Sequence, residues 1–237
     1  MMTRAYPQFY LADAQQNLGT MFDYAVRVLH YDADTFFLYF IQSEAAAKFE
    51  HANPKYIAGM SGIELCENVL AKVSGKEPAK QSASPDVVAE QPNLYAAQEK
   101  DVLTEQGAEF WLGWAMAYYQ WYSGLRFSDL QEYGLVPSEI LSRYILHEAD
   151  ISKFVNAANK IILKNRGESP ARLQKLRKAH GLTQSELADL SGVSLRMIQL
   201  YEQRQNDINK ASAETIAALA RALCCNFYEI MEIDLEE

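Results

Sequence analysis

Few side chains in this chain are spaced for chemistry. The four histidines, His30, His51, His147 and His180, form no H-E-x-x-H pair or similar metal-holding spacing. His147-Glu148-Ala149-Asp150 is a lone polar cluster that reads as a helix junction. Cys66, Cys224 and Cys225 lack the spacing of a zinc site or a disulfide framework. The adjacent pair could act as a redox switch, but nothing nearby marks a lowered thiol pKa, and small apolar fillers at a helix end is the plainer reading. There is no Gly-rich phosphate loop and no nucleophile elbow. The sequence therefore predicts a non-enzyme without cofactor or metal.

Two groups of residues remain. One is aromatic: Phe110, Trp111, Trp114, Tyr118, Trp121 and Tyr122, whose steps of three and four put most of them along one stripe of a helix. Trp111, Trp114, Tyr118 and Trp121 are the candidates for a ligand pocket or partner-binding face. The competing reading is the central core helix of a domain. The other group is polar and basic, and lies between Pro170 and Lys210.

The elements that must position these residues are helical, and no alternating strand run occurs. The patterns predict helices over Ala12 to Leu29 (with Leu18, Met21, Phe22, Ala25 and Leu29 on one face), Ala33 to Ser43 with a possible extension to Phe49, Gly62 to Val73 capped by Ser61, and Thr104 to Ser123. Ser128 and Ser138 look like further N-caps, the second opening Glu139 to Leu146, and a last helix covers Ala149 to Lys164. Asn53-Pro54 and Gly59 interrupt, within a segment Asn53 to Gly62 that has the look of a family-specific motif. Residues 74–93 hold Pro78, Pro85 and Pro92 without apolar periodicity, and read as flexible. The expected layout is a helical domain over 1–165, a linker at 166–170, a second domain over 171–232 and an acidic tail at 233–237.

In the second domain Pro170 suits a helix start. The helix Ala171 to His180 turns Leu173 and Leu176 inward among Arg172, Lys175, Arg177 and Lys178, and Gly181 ends it. Thr183-Gln184-Ser185-Glu186 is a capping box. Leu187 and Leu190 are expected to face inward, and Ala188 to admit a crossing helix. Gly192 is free to take positive φ in a three-residue turn, and Ser194 caps a helix with Ile198 and Tyr201 inward. Two short helices joined by a tight Gly turn make a helix-turn-helix unit.

The run L-T-Q-S-E-L-A-D-L-S-G-V-S-L-R-M-I-Q-L-Y-E (182–202), with the following helix 211–223 and a short helix around Asn226 to Met231, resembles the Cro/C1-type (XRE) family of bacterial and phage regulators. The resemblance covers about 65 residues, and implies a five-helix lambda-repressor-like domain that binds double-stranded DNA in the major groove. It makes Ser194 to Gln203 the recognition helix. With Ile198 inward, Leu195, Arg196, Gln199, Leu200 and Gln203 turn toward the groove. Arg196 is the candidate for direct readout, because a guanidinium can bond guanine O6 and N7 together, and Leu195 or Leu200 could touch a thymine methyl. Gln184 resembles a phosphate or base-edge contact. Ser194, Gln203, Arg204, Asn206 and Lys210 are phosphate candidates, and Arg177 with Glu202 looks like the family's structural ion pair. Two departures stand out. Gln203-Arg204-Gln205-Asn206 lacks the glycine that usually follows the Tyr-Glu pair, and Cys224 replaces a common glycine after the fourth helix.

Charge is consistent with this division. The net charge is −9, yet residues 151–223 carry 12 Lys/Arg against 6 Asp/Glu, while residues 1–150 carry 10 against 20. A basic segment inside an acidic chain is a plausible electrostatic footprint for DNA. The chain opens with no signal peptide pattern, and its longest apolar stretch, Phe110 to Leu125, is short for a membrane span. The expectation is an all-α cytoplasmic DNA-binding regulator, acting as a homodimeric repressor with an N-terminal domain for a small-molecule effector or protein partner. The alternative is an antitoxin whose acidic N-terminal domain neutralises a toxin.

Overall fold

A computed structural model describes residues 4–73 and 106–232. The stretch 74–93, the expected helix start at Thr104 and the tail 233–237 lie outside the described residues. The fold is all-α and divides into two compact units, the first ending at Ile162 and the second beginning at Leu163.

In the first unit, α1 (Leu11–Asp23) runs into a wider turn at Tyr24–Val28. Leu29, expected on the buried face, is exposed. Helix α2 (Ala33–Gln42) stops at Ser43, whose hydroxyl donates to the Phe40 carbonyl at 2.8 Å, and α3 (Glu44–Glu50) starts afresh. Then follow α4 (Pro54–Ile57) and α5 (Gly62–Val73). From residue 106 on come α6 (Ala108–Ser123), α7 (Phe127–Glu132), α8 (Pro137–Leu141), a 3-10 turn at Tyr144–Glu148, and α9 (Ile151–Glu168), which passes into the second unit after Ile162.

Helices α1 and α6 approach closely because both carry glycine at the crossing. A Cβ on Gly113 would collide with the Leu18 carbonyl, and one on Gly19 would stand 2.8 Å from the Phe110 ring. Around this pair Phe37, Phe40, Phe49 and Phe127 pack edge to face. The Tyr119 hydroxyl of α6 donates to Asn159 of α9 at 2.8 Å.

The segment Asn53 to Gly62 acquires a structural account. Asn53 caps α4 by accepting from the Lys55 amide, and Tyr56 and Ile57 are buried. The Ile57 carbonyl accepts from Asn17 of α1 at 2.5 Å. Ser61 and Glu64 form a capping box, and a Cβ on Gly62 would meet the α1 backbone at Asn17. The segment fastens α4 and α5 to α1.

Two expected caps are replaced by acids. At α7 Asp129, not Ser128, reaches back to the Arg126 amide at 3.0 Å. At α8 Val136 holds the cap position, the Ser138 amide donates to Asp34 of α2 at 2.9 Å, and the helix ends at Leu141 instead of Leu146. The expected linker is also largely helical, since α9 continues to Glu168.

The second unit contains α10 (Arg172–Ala179), α11 (Gln184–Ser191), α12 (Leu195–Glu202), a 3-10 turn at Ile208–Lys210, α13 (Ala213–Ala222) and α14 (Phe227–Ile230). Their shared core includes Leu173, Leu187, Ile198, Tyr201, Leu219 and Ile230.

Candidate nucleic-acid interface

The angle between α11 and α12 is set by local chemistry. Thr183 Oγ1 accepts from the Glu186 amide, and the Glu186 carboxylate accepts from the Thr183 amide at 2.7 Å. These bonds hold the Glu186 carboxyl below its usual range. Gly192 closes α11 at φ +72°, its amide donating to the Ala188 carbonyl at 2.8 Å. Ser191 Oγ accepts from the Val193 amide, and Ser194 Oγ caps α12 by accepting from the Met197 amide. Leu187 is fully buried, but Leu190 is 62% exposed, so only one of the two leucines expected inside enters the core.

A buried ionic cluster fixes α12 against its neighbours. Arg177 of α10 donates from Nε and Nη2 to the two oxygens of Glu202, at 2.6 and 2.8 Å. Its Nη1 donates to the Leu182 carbonyl at 2.7 Å. Gln184, at the first position of α11, donates to Glu202 Oε2 at 2.7 Å. Three helices therefore meet on one carboxylate, and Glu202 raises the Arg177 pKa further above its ordinary value. The forked geometry satisfies charges that would otherwise be costly to bury.

With that side of α12 anchored, the opposite side faces solvent. Leu195, Arg196 and Gln203 are exposed, and Gln199 and Leu200 are half-buried. Exposed Lys210 pairs with Asp207 at 3.3 Å. The Asn206 amide lies 3.8 Å from Met197 Sδ. Gln184 is half-buried, its amide engaged by Glu202.

Arg204, also a phosphate candidate, is engaged within the domain: its guanidinium donates to the carbonyls of Arg166, Ser169 and Pro170 at 3.1, 2.7 and 3.3 Å, and to Glu232 at 3.4 Å. Buried Glu232 also accepts from the Arg172 amide and pairs with Arg166. Arg204 has φ +54° and Cys224 has φ +48°. The loop after Tyr-Glu and the end of α13 thus each contain a left-handed residue without having a glycine.

The aromatic stripe of α6 divides in two. Trp121 is fastened, donating to the Tyr6 carbonyl at 2.8 Å and carrying Arg4 over its ring. Tyr118 stacks between Trp114 and Tyr122. Trp111 packs edge-on to Tyr144 and Phe154, and together with Trp114 it lines a cavity.

Two short helices held at a fixed angle, with Arg196 exposed on the second, form a helix-turn-helix unit. Residues 173–230, about a quarter of the chain, match the helix-turn-helix family model of Cro/C1 type, and this match supports a DNA-binding transcription regulator. No curated protein and no solved structure matched the chain. Among the described residues no helix is long and apolar enough to cross a membrane, and no His/Cys/Asp/Glu group is placed to hold a metal ion.

Proposed function

We propose that this protein is a sequence-specific repressor that binds DNA as a homodimer and receives a signal or partner through its N-terminal unit. The observation that carries the reading is Arg196, solvent-exposed on α12 while the Arg177–Glu202–Gln184 cluster immobilises the helix from behind. Leu195, Arg196, Gln199 and Leu200 are assigned to base edges, and Ser194, Gln203, Asn206 and Lys210 to phosphates. Gln184 joins the contacts if its amide turns outward from Glu202.

A gel shift on the protein's own promoter tests this. Arg196→Ala should lower affinity for the preferred site by about tenfold or more and flatten discrimination between sequences. Lys210→Ala should weaken all sequences alike and reduce the salt slope by about 1. An Arg196→Ala effect equal on preferred and scrambled DNA, or a Lys210→Ala effect confined to the preferred site, would reject the assignment.

Dimerisation is supported by a groove of about 610 Å³ lined by Ala213, Ile216, Ala217, Ala220, Phe227 and Met231, beside which Tyr228 is 68% exposed. Phe227→Glu should convert a dimer to a monomer in analytical ultracentrifugation and weaken operator binding. A wild-type monomer at micromolar concentration would remove this part of the reading. The acidic balance of residues 1–150 supports a second role, neutralisation of a basic toxin. Its signature would be a stoichiometric neighbouring gene product retained on the native protein at high purity.

A further inference from the structure

We infer that the cavity at the start of α6 is a binding site for a small organic cation, of the size range from choline to benzyltrimethylammonium. This rests on the sensing part of the proposed function and supplies its ligand class.

The cavity holds about 280 Å³ and lies entirely within the first unit. Its walls are aromatic: Phe110, Trp111 and Trp114 from α6, with Tyr144 and His147 from the 3-10 turn before α9. Trp111 and Tyr144 meet at 71°, with ring centroids 5.8 Å apart, making a corner of two π systems. Three of the rings have an aromatic neighbour, and two of those neighbours, Phe154 and Tyr118, are not among the lining residues. Phe154 backs Trp111, Tyr118 stacks on Trp114, and His147 lies parallel to Tyr144 with centroids 4.1 Å apart. A braced corner of ring faces is preorganised for cation–π contact, because the face of each ring carries the negative part of its quadrupole.

The surrounding charge has the matching sign. No Lys or Arg lines the cavity. At Gly107 the Glu109 carboxylate and the Arg27 guanidinium stand 3.4 and 3.5 Å from where a Cβ would be, and Arg27 pairs with Asp23 at 3.1 Å. Exposed Glu148 and Asp150 flank the lining residue Ala149 in the chain, and Lys153 acts on Asp150. Asp23 is buried and neutralises Arg27, which leaves Glu109, Glu148 and Asp150 against Lys153 beside the lining residues and favours a positive guest over a neutral or negative one. The start of α9 offers an anion little, since Asp150 already accepts from the Ser152 amide at 2.9 Å.

The test is isothermal titration of the full-length protein with choline, its neutral isostere 3,3-dimethylbutan-1-ol, benzyltrimethylammonium and benzoate. One of the two cations should bind at least about tenfold more tightly than the isostere and benzoate. Trp114→Ala should reduce cation affinity about tenfold or more, and Trp114→Phe, which keeps a ring face, should restore part of it. Glu109→Gln with Glu148→Gln should weaken the cation and leave the isostere unchanged. Affinity for both cations no greater than for the isostere, preference for benzoate, or no binding of either cation would overturn the inference. A thermal melt of each variant separates loss of the site from loss of the fold. The gel shift with Arg196→Ala reports the DNA reading separately, so failure of one leaves the other standing.

Discussion

Arg196 and Arg204 lie eight residues apart and do opposite things. Arg196 occupies the second position of α12, where its neighbours at Ile198 and Tyr201 take the buried side, and its side chain is left in water. Arg204 sits just past the helix in a left-handed conformation, its guanidinium drawn back to three carbonyls and Glu232. Residue type alone could not separate them, because both are basic and both lie close to the motif. Cys224 allows a cleaner test of the left-handed positions. It is exposed with φ +48°, and only its thiol's weak contact to the Arg221 carbonyl, at 3.8 Å, opposes substitution. Cys224→Gly relieves a Cβ clash worth about 1–2 kcal/mol but gives the unfolded chain more freedom. The expected net gain is about 0.5–1 kcal/mol in urea denaturation. A loss of stability would show that the αL conformation costs this cysteine little.

At the scale of elements, the local caps of the helix-turn-helix were legible, whereas the Asp129 cap of α7 and the distant hold on α8 were not. The Thr183–Glu186 box, the Gly192 turn and the Ser194 cap each involve residues within four positions, and the sequence shows all three. Asp34 reaching the Ser138 amide spans more than a hundred positions, so α8 begins and ends elsewhere than its own residues suggest. Asn165 to Pro170 reads as a linker because Gly167 and Pro170 punctuate it. The helix nevertheless continues to Glu168, and Arg204 donates to the carbonyls of Arg166 and Ser169 at its end. The ion pair behind α12 shows the same long reach, and predicts strong non-additivity. Glu202→Leu alone leaves Arg177 buried without its partner and should cost about 3–5 kcal/mol. Adding Arg177→Met should recover most of that loss in stability, while leaving α12 less precisely oriented and DNA affinity reduced. If the double variant were as unstable as the sum of the single ones, the cluster would be packing rather than charge balance.

Across the whole molecule, acidic and basic residues separate along the chain, and the acidic part carries its own stability liability. Glu50 of α3 turns its carboxylate inward to accept from the Phe127 amide at 2.5 Å, capping the start of α7. Burial pushes its pKa up to about 7; the Phe127 bond opposes this, Asp129 adds to it, and Arg126 and His51 oppose it. The unfolded chain releases this proton near the ordinary value of 4.5, so between pH 4.5 and 7 the folded form holds a proton that the unfolded form has lost. Raising the pH through that window therefore removes stability, on the order of 3 kcal/mol in all, and the loss is complete above pH 7. All three tryptophans, Trp111, Trp114 and Trp121, lie in the first unit, so their fluorescence reports its unfolding. Glu50→Gln keeps an oxygen for the Phe127 amide and has no charge to bury. Its denaturation midpoint should match the wild type near pH 4.5 and exceed it increasingly toward pH 8. Parallel curves for the two proteins across that range would mean that the Glu50 carboxylate is solvated well enough to ionise normally, and that the acidic excess stays on the surface.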